Sequence, residues 1–156
     1  MSVEDNKALV RFLIDEALNK GNFGVATEEY FQPDYTVHTP AAAELPRGPE
    51  AFKLIIRLWQ SAFEGWHLNI EQLVAEGDFV ANRFTTTGRH TGPLMGIPPT
   101  GREMVVRSQE LHRIQDGRLA ETWVVDDLPS ILVQLGAYPP PPVGGPPPGG
   151  APGREG

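Results

Sequence analysis

Gly88-Arg89-His90-Thr91-Gly92-Pro93-Leu94-Met95-Gly96-Ile97-Pro98-Pro99-Thr100-Gly101 is the stretch whose reading decides the fold. It links an alternating strand, Phe79 to His90, to a second strand, Met104 to Gln115. Its glycines allow backbone angles that other residues resist, and Pro98-Pro99 holds the chain extended. The connection therefore fixes how the chain leaves one strand and enters the next.

Outward from this hinge, turn signals divide the chain. Glu76-Gly77-Asp78 joins Phe79–His90 to an earlier strand, His67 to Ala75. Gln115-Asp116-Gly117 joins Met104–Gln115 to a later one, Arg118 to Asp126, with the strong Asp-Gly hairpin signal. Asp127 is placed to cap a final helix, Leu128 to Leu135, which Gly136 ends. Towards the N-terminus, Gly48-Pro49 opens a helix with Pro at a first-turn position. Phe52, Ile55, Ile56, Trp59 and Phe63 recur along it at helical spacing. Tyr35-Thr36-Val37-His38 reads as a short strand after Pro33-Asp34. Ser2 and Asp5 form a capping box for a first helix to about Lys20, with Leu9, Leu13 and Ala17 on one face. Gly21 stops it, and Asn22 is placed to cap a short second helix carrying Val25, Ala26 and Tyr30. Helices followed by an antiparallel meander give the α+β class.

Composition narrows the function classes. Apolar residues make up 40% and charged residues 21% of 156, the balance of one soluble domain. A net charge of −7 with no basic run argues against nucleic acid. With no cysteine there is no disulfide, thiolate nucleophile or cysteine metal site. No apolar run is long enough to span a bilayer and the first residues lack a signal-peptide pattern, so a cytoplasmic protein with no membrane partner is expected. The domain is expected to cover 1–136. From Tyr138 to Gly156, 14 of 19 residues are Pro or Gly, and 137–156 reads as a disordered tail.

Strand parity selects the residues able to share a pocket. Ser108, Glu110 and His112 lie on one face of their strand, and Thr122, Val124 and Asp126 on one face of the next. Paired through the Asp116-Gly117 turn, these sets can face the same side. Glu110, His112 and Asp126 then form an acid/base cluster able to remove a proton beside a carbonyl and protonate the enolate. The structural alternative is pairing of these carboxylates with Arg83, Arg107 or Arg113, and helix capping for Asp127. Trp59, Trp123, Phe52, Phe63, Phe84 and Tyr30 could line an apolar pocket or simply form a core. No phosphate-binding loop, dinucleotide fingerprint or nucleophile elbow is present, and the scattered histidines give no metal-ligand spacing. Neither a cofactor nor a metal is expected.

The Gly88–Gly101 stretch resembles the GxHxG…GxPPTG signature of SnoaL-like polyketide cyclases, within the nuclear transport factor 2-like superfamily. The resemblance runs over roughly residues 3 to 136. It implies a cone-shaped α+β barrel, with a curved antiparallel sheet wrapped around the N-terminal helices. It also implies a homodimer formed through the open face of the sheet. In this family a strand aspartate acts as general acid/base for aldol ring closure, helped by a histidine on the neighbouring strand. Matched without a gap through Arg113–Leu119 and Gln134-Leu135-Gly136, those positions fall on Val124 and Glu110. His90 matches a histidine typical of the motif, as ligand contact or loop anchor. His38 matches a rim histidine, and Arg83 a frequent pocket arginine.

The combined expectation is a cofactor-free enzyme performing aldol-type cyclisation or isomerisation on an apolar, carbonyl-bearing metabolite. Glu110, His112 and Asp126 carry the chemistry, and His38, Trp59, Arg83, His90, Trp123 and Val124 contact the ligand. The competing readings are a non-catalytic binding or dimerisation domain, and an epoxide hydrolase or hydroxylase on the same fold.

Overall fold

The computed structural model describes residues 2–40, 42 and 44–138. Most of the Pro/Gly-rich segment, 139–156, lies outside the described residues. The capping box forms as expected: Ser2 Oγ accepts from the Asp5 amide at 3.1 Å and Asp5 accepts from the Ser2 amide at 3.0 Å. Helix α1 (Val3–Leu13) buries Leu9, Val10 and Leu13. It continues as a π-helical turn, Ile14–Asn19, so the helical path ends almost where Lys20 was expected to end it. The expected second helix is only a 3₁₀ turn, Phe23–Val25, and Asn22 does not cap it. Asn22 instead donates to Glu16 at 3.3 Å. Glycine at position 24 and the β-branched Val25 disfavour a longer helix.

Strand β1 (Phe31–His38) begins four residues before the expected Tyr35 and carries Pro33 inside it. It is an edge strand whose pairing is irregular between Phe31 and Thr36, so the missing proline N–H removes no ladder bond. Helix α2 (Pro49–Ala62) starts with Pro in its first turn and buries Ala51, Ile56, Trp59 and Ala62. Phe63 then turns directly into β2 (Phe63–Glu76), four residues earlier than the expected His67. β3 (Phe79–His90), β4 (Glu103–Gln115) and β5 (Arg118–Asp126) follow, and α3 (Leu128–Gln134) closes the order. Asp127 caps α3 by accepting from the Ser130 amide at 3.1 Å.

The sheet order is β1-β5-β4-β3-β2. The meander β2–β5 is antiparallel, but β1 joins β5 in parallel, which makes the sheet mixed rather than wholly antiparallel. It does not close into a barrel. The Asp116-Gly117 turn holds both residues at positive φ, 51° and 73°, as a tight two-residue hairpin requires. One cluster of the core joins α1, β1 and the inner sides of β2, β3 and β5 around Leu13, Phe31, Tyr35, Val80 and Leu119. A second joins α2, β2, β4 and α3 through Trp59, Phe63, Met104, Val106 and Ile131. The space between helices and sheet is where the site lies. No helix of the described residues is long and apolar enough to cross a membrane.

The Gly88–Gly101 stretch seals one end of this layer. Thr91 and Gly92 amides both donate to Ala62 O at 3.0 Å, capping the end of α2. A Cβ on Gly92 would stand 2.0 Å from Ser61 O, so only glycine fits this approach. His90 is fully buried, and its Nδ1 accepts from the Thr100 amide at 3.1 Å beside Thr100 Oγ1 at 3.0 Å.

Candidate active site

Three rungs of the sheet build the site. Phe84, Ser108 and Asp126 lie opposite one another across β3, β4 and β5. Asn82, Glu110 and Val124 form the next rung, and Val80, His112 and Thr122 the third. Side chains two apart on a strand share a face, so all three rungs present their side chains inward. They meet α1, β1 and α2 across a cavity between the helices and the sheet. Leu13, Ile14, Phe52, Ile56, Trp59 and Trp66 supply much of its apolar wall. Trp59 and Trp66 stack with centroids 5.3 Å apart, giving that wall a flat aromatic surface.

Polar groups gather on the sheet side. Burial pushes the Asp126 carboxyl above the usual carboxylate range; the Ser108 hydrogen bond opposes this, and the nearby Glu110 charge adds to it. Ser108 Oγ donates to Asp126 Oδ1 at 2.5 Å. Glu110 Oε2 accepts from Asn82 Nδ2 at 3.4 Å. His112 Nε2 lies 3.2 Å from the same oxygen, close enough for charge pairing but outside hydrogen-bond angles. That buried nitrogen therefore lacks a hydrogen-bond partner among the described residues. On its other side, His112 Nδ1 meets Thr122 Oγ1 at 2.9 Å, and Tyr35 OH donates to Thr122 Oγ1 at 2.9 Å. A carboxyl whose pKa is raised by burial, set beside a second carboxyl group, is an arrangement able to give and take protons within one apolar space.

Of the residues singled out by sequence, Glu110, His112, Asp126, Val124 and Trp59 come together around this cavity. His38, Arg83, His90 and Trp123 do not line it. The reason for three of them is parity: Tyr35, Val37 and Thr39 turn inward and His38 outward, and likewise Phe84 in and Arg83 out, Val124 in and Trp123 out. His38 stacks on Trp123 with centroids 5.3 Å apart, and its Nε2 lies 2.8 Å from Glu121. Arg83 is exposed and pairs with Glu71 at 3.5 Å rather than with Glu110. His90 anchors the loop, the alternative role its motif allowed. Arg113 pairs with Glu121 at 3.3 Å, leaving Glu110 without an arginine partner among the described residues.

Sequence reasoning did not assign roles to Asn82, Tyr35 and Thr122. A signal for Asn82 was present, because it is polar at an inward position between Val80 and Phe84. Tyr35 and Thr122 meet only through the parallel β1–β5 pairing, which no local pattern reveals. No three His, Asp or Glu side chains among the described residues are grouped as a metal ion would need.

Comparison with known proteins agrees with this architecture. The family described as SnoaL-like polyketide cyclase matches residues 8–135. Aklanonic acid methyl ester cyclase DnrD of Streptomyces peucetius is 36% identical over 141 residues, covering 87% of this chain and 94% of that protein. Nogalonic acid methyl ester cyclase of Streptomyces nogalater is 33% identical over 112 residues, covering 70% and 82%. The structure of TsrD from Streptomyces laurentii superposes with a TM-score of 0.78 at 33% identity, covering 88% of this chain and 99% of that one. With its fold, its loop motif and its sequence in agreement, the chain belongs to the SnoaL-like polyketide cyclase family.

Proposed function

We propose that this protein is a cofactor-free cyclase that closes a ring by intramolecular aldol reaction in a neutral, carbonyl-rich polyketide ester. The carrying observation is the pair of carboxyl groups, Glu110 and Asp126, on one wall of an apolar cavity, with Asp126 held towards its protonated form. Glu110 takes a proton from carbon between two carbonyls. The resulting enolate attacks a ketone carbon of the same molecule, a carbon–carbon bond forms, and Asp126 protonates the new alkoxide. A proton passing through water from Glu110 to Asp126 resets both, and product and substrate have the same mass.

The lining supports the choice of substrate charge. Among the described residues no lysine or arginine borders the cavity, while two acidic groups do. A free carboxylate would meet repulsion with no counter-charge, whereas an ester would not. The named relatives act on methyl esters, which fits this preference. Val124 at the family's aspartate position moves the base across the rung to Glu110, its direct neighbour on β4. Two copies of the chain are proposed to pair through the outer sheet face, where Val105, Leu111 and Val125 are exposed.

The same Val124 favours a second reading, a binding domain without catalysis. Incubation with aklanonic and nogalonic acid methyl esters separates the two. An isomer of unchanged mass and new retention, lost in Glu110→Gln, supports the cyclase. Saturable binding of either ester with no isomer favours the binding domain.

A further inference from the structure

One feature of the cavity wall goes unused in this scheme: a chain of three buried polar groups behind Glu110. Tyr35 is 1% exposed, Thr122 4% and His112 6%. Proton accounting along the chain leaves little freedom. The Tyr35 hydroxyl donates to Thr122 Oγ1 at 2.9 Å. Burial raises the Tyr35 pKa well above its ordinary value, so the phenol keeps its proton. Thr122 has a single hydroxyl proton, and the acceptor before it is His112 Nδ1 at 2.9 Å. With Nδ1 accepting, the ring proton sits on Nε2.

We propose that Tyr35 and Thr122 are positioning residues that lock His112 as the Nε2–H tautomer, making it a fixed hydrogen-bond donor towards Glu110 and the cavity. The opposite arrangement, Nδ1–H donating to Thr122, would make Thr122 accept twice and leave its own proton without an acceptor in a buried place. The lock makes the buried Nε2 a donor that has no full hydrogen-bond partner among the described residues. It lies 3.2 Å from Glu110 Oε2, and its N–H is free to donate to a carbonyl oxygen entering the cavity. His112 cannot then serve as the resting base, and carbon deprotonation falls to Glu110. Three strands cooperate in this lock: β1 supplies Tyr35, β5 Thr122 and β4 His112.

The catalytic consequence rests on the cyclase reading, but the tautomer does not. Nitrogen-15 NMR of imidazole-labelled protein reads it directly in the resting state, with His112→Phe assigning the signal. The native protein is expected to show Nε2 protonated and Nδ1 bare. Thr122→Val, which keeps the shape and removes the hydroxyl, is expected to lose that single-tautomer signature and slow carbon-acid exchange by about tenfold. Thr122→Ser is expected to restore both, which a loss of packing alone would not allow. A native spectrum with Nδ1 protonated, or an unchanged tautomer in Thr122→Val, overturns the lock. Exchange absent from the native protein while the Nε2–H signature is present overturns the cyclase reading and leaves the lock standing.

Discussion

His90 and His112 make nearly the same local bonds and sit in regions with different work. Both are buried, both meet a threonine through Nδ1, and both leave Nε2 without a hydrogen bond among the described residues. His90 is held by its own loop, with Thr100 ten residues away, and its ring lies 5.5 Å from the Phe63 ring within an aromatic cluster. His112 is held by a neighbouring strand, and its Nε2 lies beside a carboxylate on the cavity wall. A buried histidine thus takes its role from what its free nitrogen faces. At His90 that is packing, and at His112 it is Glu110 together with space for a ligand.

This contrast can be broken from the structural side with the largest effect. Gly92→Ala forces a Cβ against Ser61 O, so chemical denaturation is expected to show a loss of at least about 3 kcal/mol. A loss below 1 kcal/mol would mean the loop does not hold α2 as described. The paired substitutions His112→Phe and His90→Phe sharpen the contrast next. His112→Phe is expected to slow carbon-acid exchange by about ten- to a hundredfold. His90→Phe is expected to lower stability by about 1–2 kcal/mol through loss of the Thr100 bond, with exchange per folded molecule nearly unchanged. Equal effects of the two on exchange would erase the distinction.

The smallest expected effect concerns Asp126. Its pKa in the folded protein is raised above the unfolded value, so the folded state holds this proton more tightly. The associated stability is present at acid pH, below the unfolded value, and is lost as pH rises through the folded value. Asp126→Asn is therefore expected to melt at a higher temperature than the native protein near neutral pH. That advantage should shrink as the pH falls into the carboxylate range. A difference independent of pH would contradict the burial of this carboxyl.

Much of this was legible in the sequence because it depended on local chemistry. Asp116-Gly117, the Asp127 cap and the Ser2–Asp5 box need only neighbouring residues. Parity along Met104–Gln115 and Arg118–Asp126 placed Glu110, His112, Val124 and Asp126 on one face. The same rule put Trp123 on the opposite face, and only aromatic character had made it a ligand contact, as family likeness had for Arg83. What was hidden depended on distant pairing. Pro33 looked like a break until an irregular edge strand made its missing N–H harmless. Helix α2 looked separate from its strand until Phe63 proved to turn from one straight into the other. The Tyr35–Thr122 bond required a parallel pairing between segments 87 residues apart.

The central claim is that Glu110 is the base in a site where likeness to the family puts Val124 at the aspartate position. The most direct test is deuterium uptake by NMR in a panel of ketones and 1,3-dicarbonyl aromatics, for the native protein and Glu110→Gln. The account predicts exchange faster than buffer with at least one probe, reduced by at least about a hundredfold in the variant. Exchange at the buffer rate across the panel despite detectable binding, or exchange that survives in Glu110→Gln, would contradict it.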